Sequence, residues 1–298
     1  MTIASGSLVD LYDASFKKIF NDAVTKVEPV FDKVFDVLTS QQQYEKMSGV
    51  TGTGLLREKT EGQGSSELKI YQKYDKTFTH KTYGGYVRVT KESSDDDLSG
   101  SLKKIPMFLG VSGRQTVETL AASYFDLSQT TTGPDGKVLL ATDHPRADGG
   151  TWSNRPTTNV DLSVAALESG LTDMRATVDD YGNPMPLYPK VLLIPGANEF
   201  NSIQLLENTE KSGTASRDIN AIRKRGLASL IWDYLTDTDS WYLMTDPSER
   251  QLMFFMREKL GSQMKAAPDT TDDAIFQSRF RCSYGHVDAR GIYGSVGI

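Results

Sequence analysis

The chain has 298 residues, a length that makes one large domain or two ordinary ones. Hydrophobic residues at 38% and charged residues at 24% suffice for a core, though the apolar share is lean for a compact enzyme of this size. With 33 Lys plus Arg against 39 Asp plus Glu, the net charge of −6 excludes general nucleic-acid binding driven by counterion release, and the single cysteine, Cys282, excludes an internal disulfide or multi-cysteine zinc site. No apolar run approaches the ~18 residues that a membrane span requires, so no membrane association is expected. Residues 1–18 carry Asp10 and Asp13 and lack a basic start followed by an apolar block, so no secretory signal is expected.

In residues 7–38, Leu8, Leu11, Tyr12, Phe16, Ile19, Phe20, Ala23, Val24 and Val27, then Val30, Val34, Val37 and Leu38, recur at helical spacing. Pro29 lacks an amide proton and clashes with the preceding turn, so two helical pieces or a kink are expected. Such a segment is either an ordinary core helix or an amphipathic arm that packs on a partner. Residues 48–66, with Gly49, Gly52, Gly54, Gly62 and Gly64 around Arg57-Glu58-Lys59, form a polar, flexible stretch. Residues 67–82 turn to β-formers, Leu68, Ile70, Tyr71, Tyr74 and Phe78 among them, interleaved with Lys69, Lys73, Lys76 and Lys81. Two polar-decorated strands joined by a loose loop are expected, as an arm lying on something else or as a hairpin inside a larger sheet. Gly84-Gly85 permits a sharp change of direction before a short buried strand at 86–90.

Ser93-Ser94-Asp95-Asp96-Asp97 reads as a helix start rather than an ion site, whose ligands would alternate and close with a Glu. Leu98, Leu102, Ile105, Phe108 and Leu109, then Val117, Leu120, Ala121, Tyr124 and Phe125, predict a short helix to about 104, a break at Pro106 and a long helix to about 128. Residues 130–156 read as a surface loop with a candidate strand at 137–142. Asp161 is the expected cap of a helix ending near Asp180. Residues 191–194 are a continuous apolar strand covered on both faces, and strand and helix alternate on through 251–255, so 130–268 read as one α/β lobe. Residues 274–288 alternate Phe276, Ser278, Phe280, Cys282, Tyr284 and His286 with Arg279, Arg281 and Ser283, a long strand expected to pair with one such as 86–90. Gly285, Gly291, Gly294 and Gly297 are expected to loosen the end.

Chemistry-bearing patterns are scarce. His80, His144 and His286 lie in different segments, without metal-ligand spacing, and no phosphate-cradling glycine loop opens a helix, so neither metal nor cofactor is expected. Asp143-His144-Pro145 is the most site-like triplet; beside Cys282 or a serine it would make a nucleophilic dyad or triad, and otherwise it is a capped turn. Arg223-Lys224-Arg225, with Arg217 nearby, is the one basic cluster, suited to phosphate or acidic neighbours or simply solvated.

The order of parts is more informative. An amphipathic N-terminal segment, a polar β-arm, Tyr86-Val87-Arg88-Val89-Thr90, Asp95-Asp96-Asp97-Leu98, Ile105-Pro106, a long helix, an α/β lobe and a returning strand ending Asp288-Ala289-Arg290-Gly291-Ile292-Tyr293-Gly294 together resemble the major capsid proteins of tailed bacteriophages. In particular the chain is similar to Mu-like major head subunits of the Hong Kong 97-like fold. The resemblance implies an α+β fold with an N-terminal arm (1–47), an extended β-hairpin loop (48–83), a peripheral domain with the long spine helix (84–129) and the returning strand (270–298), and an α/β axial domain (130–269). It implies a non-enzymatic shell protein of the virion, assembled in the host bacterial cytoplasm through hexamers and pentamers. The shell would enclose double-stranded DNA, with separate scaffolding and portal proteins and decoration proteins as further partners. Assembly contacts are expected at Phe16, Phe20, Arg57, Lys59, Lys69, Lys73, Arg223 and Arg225. Some members crosslink a loop lysine to a neighbour's asparagine; Lys59, Lys69, Lys73, Lys76 and Lys81 are candidates, but no asparagine follows Asn220, so crosslinking is not expected. The alternatives are a filament-forming tail-tube protein, giving rods, and a hydrolase using the Asp143-His144 region.

Overall fold

Apolar residues at helical spacing form α1 (Ser5–Lys26), which stops short of Pro29, and a single further turn, α2 (Phe31–Val34). The expected helical character does not reach Val37 and Leu38. Phe31, Val34 and Phe35 turn into the core, and the chain extends as β1 (Asp36–Thr39), whose backbone pairs with a later strand. In the computed structural model the described residues are 5–96, 100–208, 219–266 and 273–298. Asp97, Leu98 and Arg217, and the side chains of Leu8, Leu11 and Tyr12, lie outside them.

The hairpin arms are β2 (Tyr44–Val50) and β3 (Gln72–Thr79), joined by the 51–71 loop, so only the second arm falls within the 67–82 run of β-formers and the first precedes it, ending inside the stretch expected to be flexible. After the single residue His80, β4 (Lys81–Val89) runs straight through Gly84 and Gly85, which pair with Arg279 and Ser278 instead of turning the chain. Nor is this strand buried: it is a sheet edge, and Tyr86 is 68% exposed. Thr90 caps α3 (Lys91–Asp95) by accepting from Ser93 N at 3.3 Å, so Asp95 and Asp96 sit at that helix's end and not at its start. A 3-10 turn at Ser101–Lys104 leads into α4 (Ile105–Asp126), where Pro106 opens the helix rather than breaking it, its missing amide falling where no partner is needed.

Residues 130–156 are not a surface excursion. Leu139, Leu140 and Ala141 are buried, and only the short β5 (His144–Pro145) and β6 (Thr151–Trp152) form there. α5 (Val164–Arg175) is capped by Ser163, which accepts from Ala166 N at 3.2 Å; Asp161 instead accepts from Ile298 N. Then follow β7 (Val191–Ile194), α6 (Glu199–Glu207), β8 (Ala228–Ile231), β9 (Trp241–Met244), α7 (Pro247–Arg250), β10 (Leu252–Ala266), β11 (Ala274–His286) and β12 (Ile292–Ser295).

Two four-stranded sheets result. The first has the order β1-β10-β11-β4, with β1 parallel to β10 and the other pairs antiparallel. The pairing of β11 with β4 matches the expected return of the chain, but β10 joins this sheet instead of continuing the α/β lobe. The second, β12-β9-β7-β8, is buried on both faces: Leu193, Tyr242 and Met244 face the core shared with α4, while Leu192, Ile194, Trp241 and Leu243 face α5 and α6. The expected loose end is therefore the fully buried strand β12, sealed by Gly294, where a Cβ would come within 2.6 Å of the Trp241 carbonyl. α1 crosses α4 at Gly110, where a Cβ would meet the Phe20 carbonyl at 2.7 Å. Among the described residues, no helix is long and apolar enough to cross a membrane.

Candidate functional site

The β2–β3 hairpin is a ribbon with a tied foot and a bare tip. Its ladder runs from Tyr44 opposite Thr79 to Val50 opposite Gln72. There Thr51 closes it: its amide donates to Tyr71 O and its hydroxyl oxygen accepts from Tyr71 N, both at 2.9 Å. Beyond this closure the 51–71 loop has no ladder, and its apolar side chains are unspent. Leu55 is 71% and Leu56 84% exposed, with Val50, Ile70 and Tyr71 also exposed. Five large apolar groups on one protruding element have little to pack on within their own chain.

The foot is held by groups from the other lobe. A tight turn at 178–184 is built on Asp179, whose Oδ1 accepts from Tyr181 N and Asn183 N at 2.8 Å. From it, Tyr181 reaches the Thr51 hydroxyl and donates to Lys69 O, both at 3.4 Å. Beside it Lys73 Nζ lies 2.9 Å from Asp180 and 3.4 Å from Asp288, and Arg290 bonds the same two carboxylates at 3.0 and 2.8 Å. The Arg290 guanidinium also covers the Trp152 ring at 4.9 Å. Two cations thus alternate with two carboxylates in a largely buried ring. Burial pushes the Asp288 carboxyl up, but Arg290 and Lys73 outweigh it and hold the group below its usual range. A cavity of about 150 Å³ opens next to this ring, lined by Lys73, Asp135, Trp152, His286 and Asp288 among others.

The expected contact residues are scattered by the fold. Arg57, Lys59 and Lys69 are exposed together on the 51–71 loop that also carries Leu55 and Leu56, and Lys73 lies at its foot in the ion-pair ring. Arg223 and Arg225 lie in the other lobe, on the exposed 3-10 turn before β8. Phe16 and Phe20 were expected to meet a partner, but both are buried in their own chain: Phe16 stacks on Phe276 at 4.3 Å, and Phe20 lies where α1 crosses α4. Asp180 and Asp288, which Arg290 bridges, gave no local signal because their partner Lys73 is more than a hundred positions away in sequence, and Tyr181 gave none because Thr51 and Lys69 are as distant.

In the Asp143-His144 region the histidine meets a carboxylate and an amide rather than a nucleophile. His144 is fully buried, its Nδ1 at 2.6 Å from Asp135 and its Nε2 at 3.2 Å from Asn154, with its ring stacked on Trp152 at 4.4 Å. Asp143 pairs with Lys137. Cys282 is buried in the core, and desolvation pushes its thiol up to about 12, which leaves no thiolate at neutral pH.

The profile of a family described as Phage capsid protein matches residues 73–295. No curated protein matches the chain in sequence. Among solved structures, the fold is similar to that of the bacteriophage JBD30 capsid, at TM-score 0.53 and 14% identity, covering 98% of this chain and 73% of that one. It is similar to the asymmetric unit of the bacteriophage PhiM1 mature capsid at TM-score 0.60 and 9% identity, covering 90% and 86%. It is likewise similar to the virus-like particle from Pyrococcus furiosus at TM-score 0.52 and 12% identity, covering 95% and 99%.

Proposed function

The chain belongs to the phage capsid protein family, and from this premise, which makes it a structural, shell-forming major capsid protein of the virion, we propose how its parts divide the work of assembly. Axial lobes built on the β12-β9-β7-β8 sheet gather as hexamers and pentamers around their common axes. The arm, 44–79 rather than 48–83, reaches across to an adjacent protomer and buries Leu55, Leu56, Ile70 and Tyr71 there, with Arg57, Lys59 and Lys69 meeting acidic groups at the rim. Arg223 and Arg225 serve contacts between neighbouring axial lobes. Assembly takes place in the host cytoplasm with separate scaffolding, portal and decoration proteins, the shell encloses double-stranded DNA, and the chain itself carries no catalysis. An acidic protomer suits such a container, since it does not adhere to the packaged polyanion.

The observation that carries this reading is the exposed apolar tip on a foot that its own protomer holds rigidly. The tip gains burial only from a neighbour. Light scattering with negative-stain images of the purified protein is expected to give closed shells, or rings of five or six. The Leu55→Asp, Leu56→Asp double variant is expected to keep the melting temperature of the protomer and to lose assembly. A wild-type protein that stays monomeric at every concentration with a radius of gyration near roughly 19 Å, or one that forms rods, overturns the reading.

A further inference from the structure

The arm joins the body through two chain crossings, the segment between β1 and β2 and the single residue His80 between β3 and β4. His80 turns inward and is buried, and both its ring nitrogens are engaged. Nε2 lies 3.0 Å from the hydroxyl of Ser40, on the other crossing, and Nδ1 lies 2.9 Å from the hydroxyl of Ser283, on the body strand β11. One imidazole therefore ties both crossings to the sheet behind them.

The proton directions in this chain follow once the ring is neutral. Ser40 Oγ lies 2.6 Å from Glu45 Oε1 on β2, and a carboxylate only accepts, so the Ser40 proton is committed to Glu45. Ser40 Oγ then accepts from the His80 Nε2–H, as it also does from Gln42 N at 3.2 Å. The lone pair of Nδ1 accepts from Ser283. Ser283 to His80, His80 to Ser40 and Ser40 to Glu45 all donate in one direction, which is the arrangement of a neutral ring.

We propose that His80 is a proton-sensitive pivot that holds the arm in its body-docked orientation while neutral and releases it on taking up a proton. A proton on Nδ1 obliges the Ser283 hydroxyl to turn from donor to acceptor and places a cation in a buried site. The charged groups facing it are Arg257 from β10 and Arg281 from β11, both repelling, and Glu45 from β2, attracting through Ser40. The remaining neighbour, Phe255 of β10, presents a ring with its centroid 6.3 Å away and offers no counter-charge. Burial first, and then the two guanidinium groups, push the imidazole below its ordinary 6.5. The sign follows: the docked state resists the proton and the released state accepts it near 6.5, so docking is complete above that value and weakens as the pH falls through it.

Hydrogen exchange of the full-length protomer, corrected for intrinsic rates, tests this. Protection of the Ser40 amide, which ties the crossing beneath the arm to Met256 O of β10 at 3.3 Å, is expected to fall by up to about tenfold between pH 7.5 and 5.5, the limit for one site protonated only when released. Protection of β7 and β9 is expected to hold constant. His80→Gln, which keeps one donor and one acceptor but cannot titrate, is expected to give Ser40 protection that is flat over the same range. Should that variant misfold, the three histidines give three resolvable imidazole signals in the wild-type protein, and the His80 midpoint must coincide with the loss of Ser40 protection. Flat protection in the wild type, a pH dependence that persists in His80→Gln, or a His80 midpoint that does not track Ser40 protection each overturns the proposal. None of these readouts requires that shells form, so failure of the assembly reading remains distinguishable.

Discussion

Glu118 is a fully buried carboxylate in the middle of α4, and it holds three parts of the chain at once. It accepts from Val30 N and Phe31 N at 3.2 Å and from the Trp232 indole at 3.0 Å, with Arg114 one turn earlier at 3.5 Å. The amides it satisfies are those that open α2, so the carboxylate acts as a cap supplied by another element. Glu118→Gln turns one acceptor into a donor facing donors, and is expected to cost about 1–3 kcal/mol in denaturant unfolding of the protomer. Burial raises the Glu118 carboxyl, so the folded chain takes up this proton more readily than the unfolded one, and the residue favours folding as acid is approached. Asp288 behaves in the opposite sense. Held low by Arg290 and Lys73, it contributes stability above its ordinary 3.8 and loses it as the pH falls through its lowered value. Arg290→Met leaves Lys73 alone against two buried carboxylates. It is expected to cost about 3–5 kcal/mol at pH 7 and to move acid unfolding to higher pH, both read by circular dichroism.

At the scale of elements, the crossing of α1 over α4 depends on the absence of a side chain. A methyl at position 110 would press on the Phe20 backbone, which cannot rotate away as a side chain end can. Gly110→Ala is therefore expected to lower stability by about 1–3 kcal/mol despite the higher helix propensity of alanine, with faster exchange in α1 as the local signature. The helical faces of α1, α4 and α5 were legible because residues three and four apart share a face whatever surrounds them. Phe16 and Phe20 illustrate the limit of that reading: their spacing marks an apolar face, and the sequence does not say whether the face meets its own chain or another. Residues 137–142 show the converse, a short apolar run inside the turn-rich stretch 130–156 that read as a surface loop, whose Leu139 and Leu140 join the core cluster with α4.

Across the whole molecule, one core joins the two sheets. Phe254 and Phe280 of the first and Leu193 and Tyr242 of the second belong to the same cluster, with Phe125 and Trp232 packed between them at 6.0 Å. A shared core predicts a single cooperative transition for the isolated protomer, with both lobes melting together. Trp232→Ala opens that shared core and removes a donor to Glu118, and is expected to cost about 3–5 kcal/mol while lowering the melting of both lobes alike in calorimetry. Separate transitions in the wild type would show that the lobes are independent units. Most of the arm stands outside this core: Phe78, buried against Phe255 with ring centroids 5.0 Å apart, is its apolar anchor, and polar ties at Lys73, Thr51 and His80 set its position beside that contact.

The sequence by itself determined the principal helices and the strands at 191–194 and 274–286, the two-sided burial of 191–194, the pairing of the 274–286 strand with β4 and, through the order of parts, the resemblance to capsid subunits. The elements and the two-sided burial are encoded locally, in the period of apolar residues or in turn and cap chemistry; the pairing and the resemblance rest on the regularity and order of the elements along the chain. Tertiary structure alone decided that β10 leaves the α/β lobe for the first sheet, that β12 closes the second, and that Lys73 meets Asp180, Asp288 and Arg290. The pairing of β10 with β1 and the meeting of Lys73 with Asp180 and Asp288 each span more than a hundred residues, and a strand's own side chains are compatible with many neighbours. The choice among them falls to the arrangement in which both apolar faces of the second sheet are covered and Lys73, Asp180, Asp288 and Arg290 find their counter-charges.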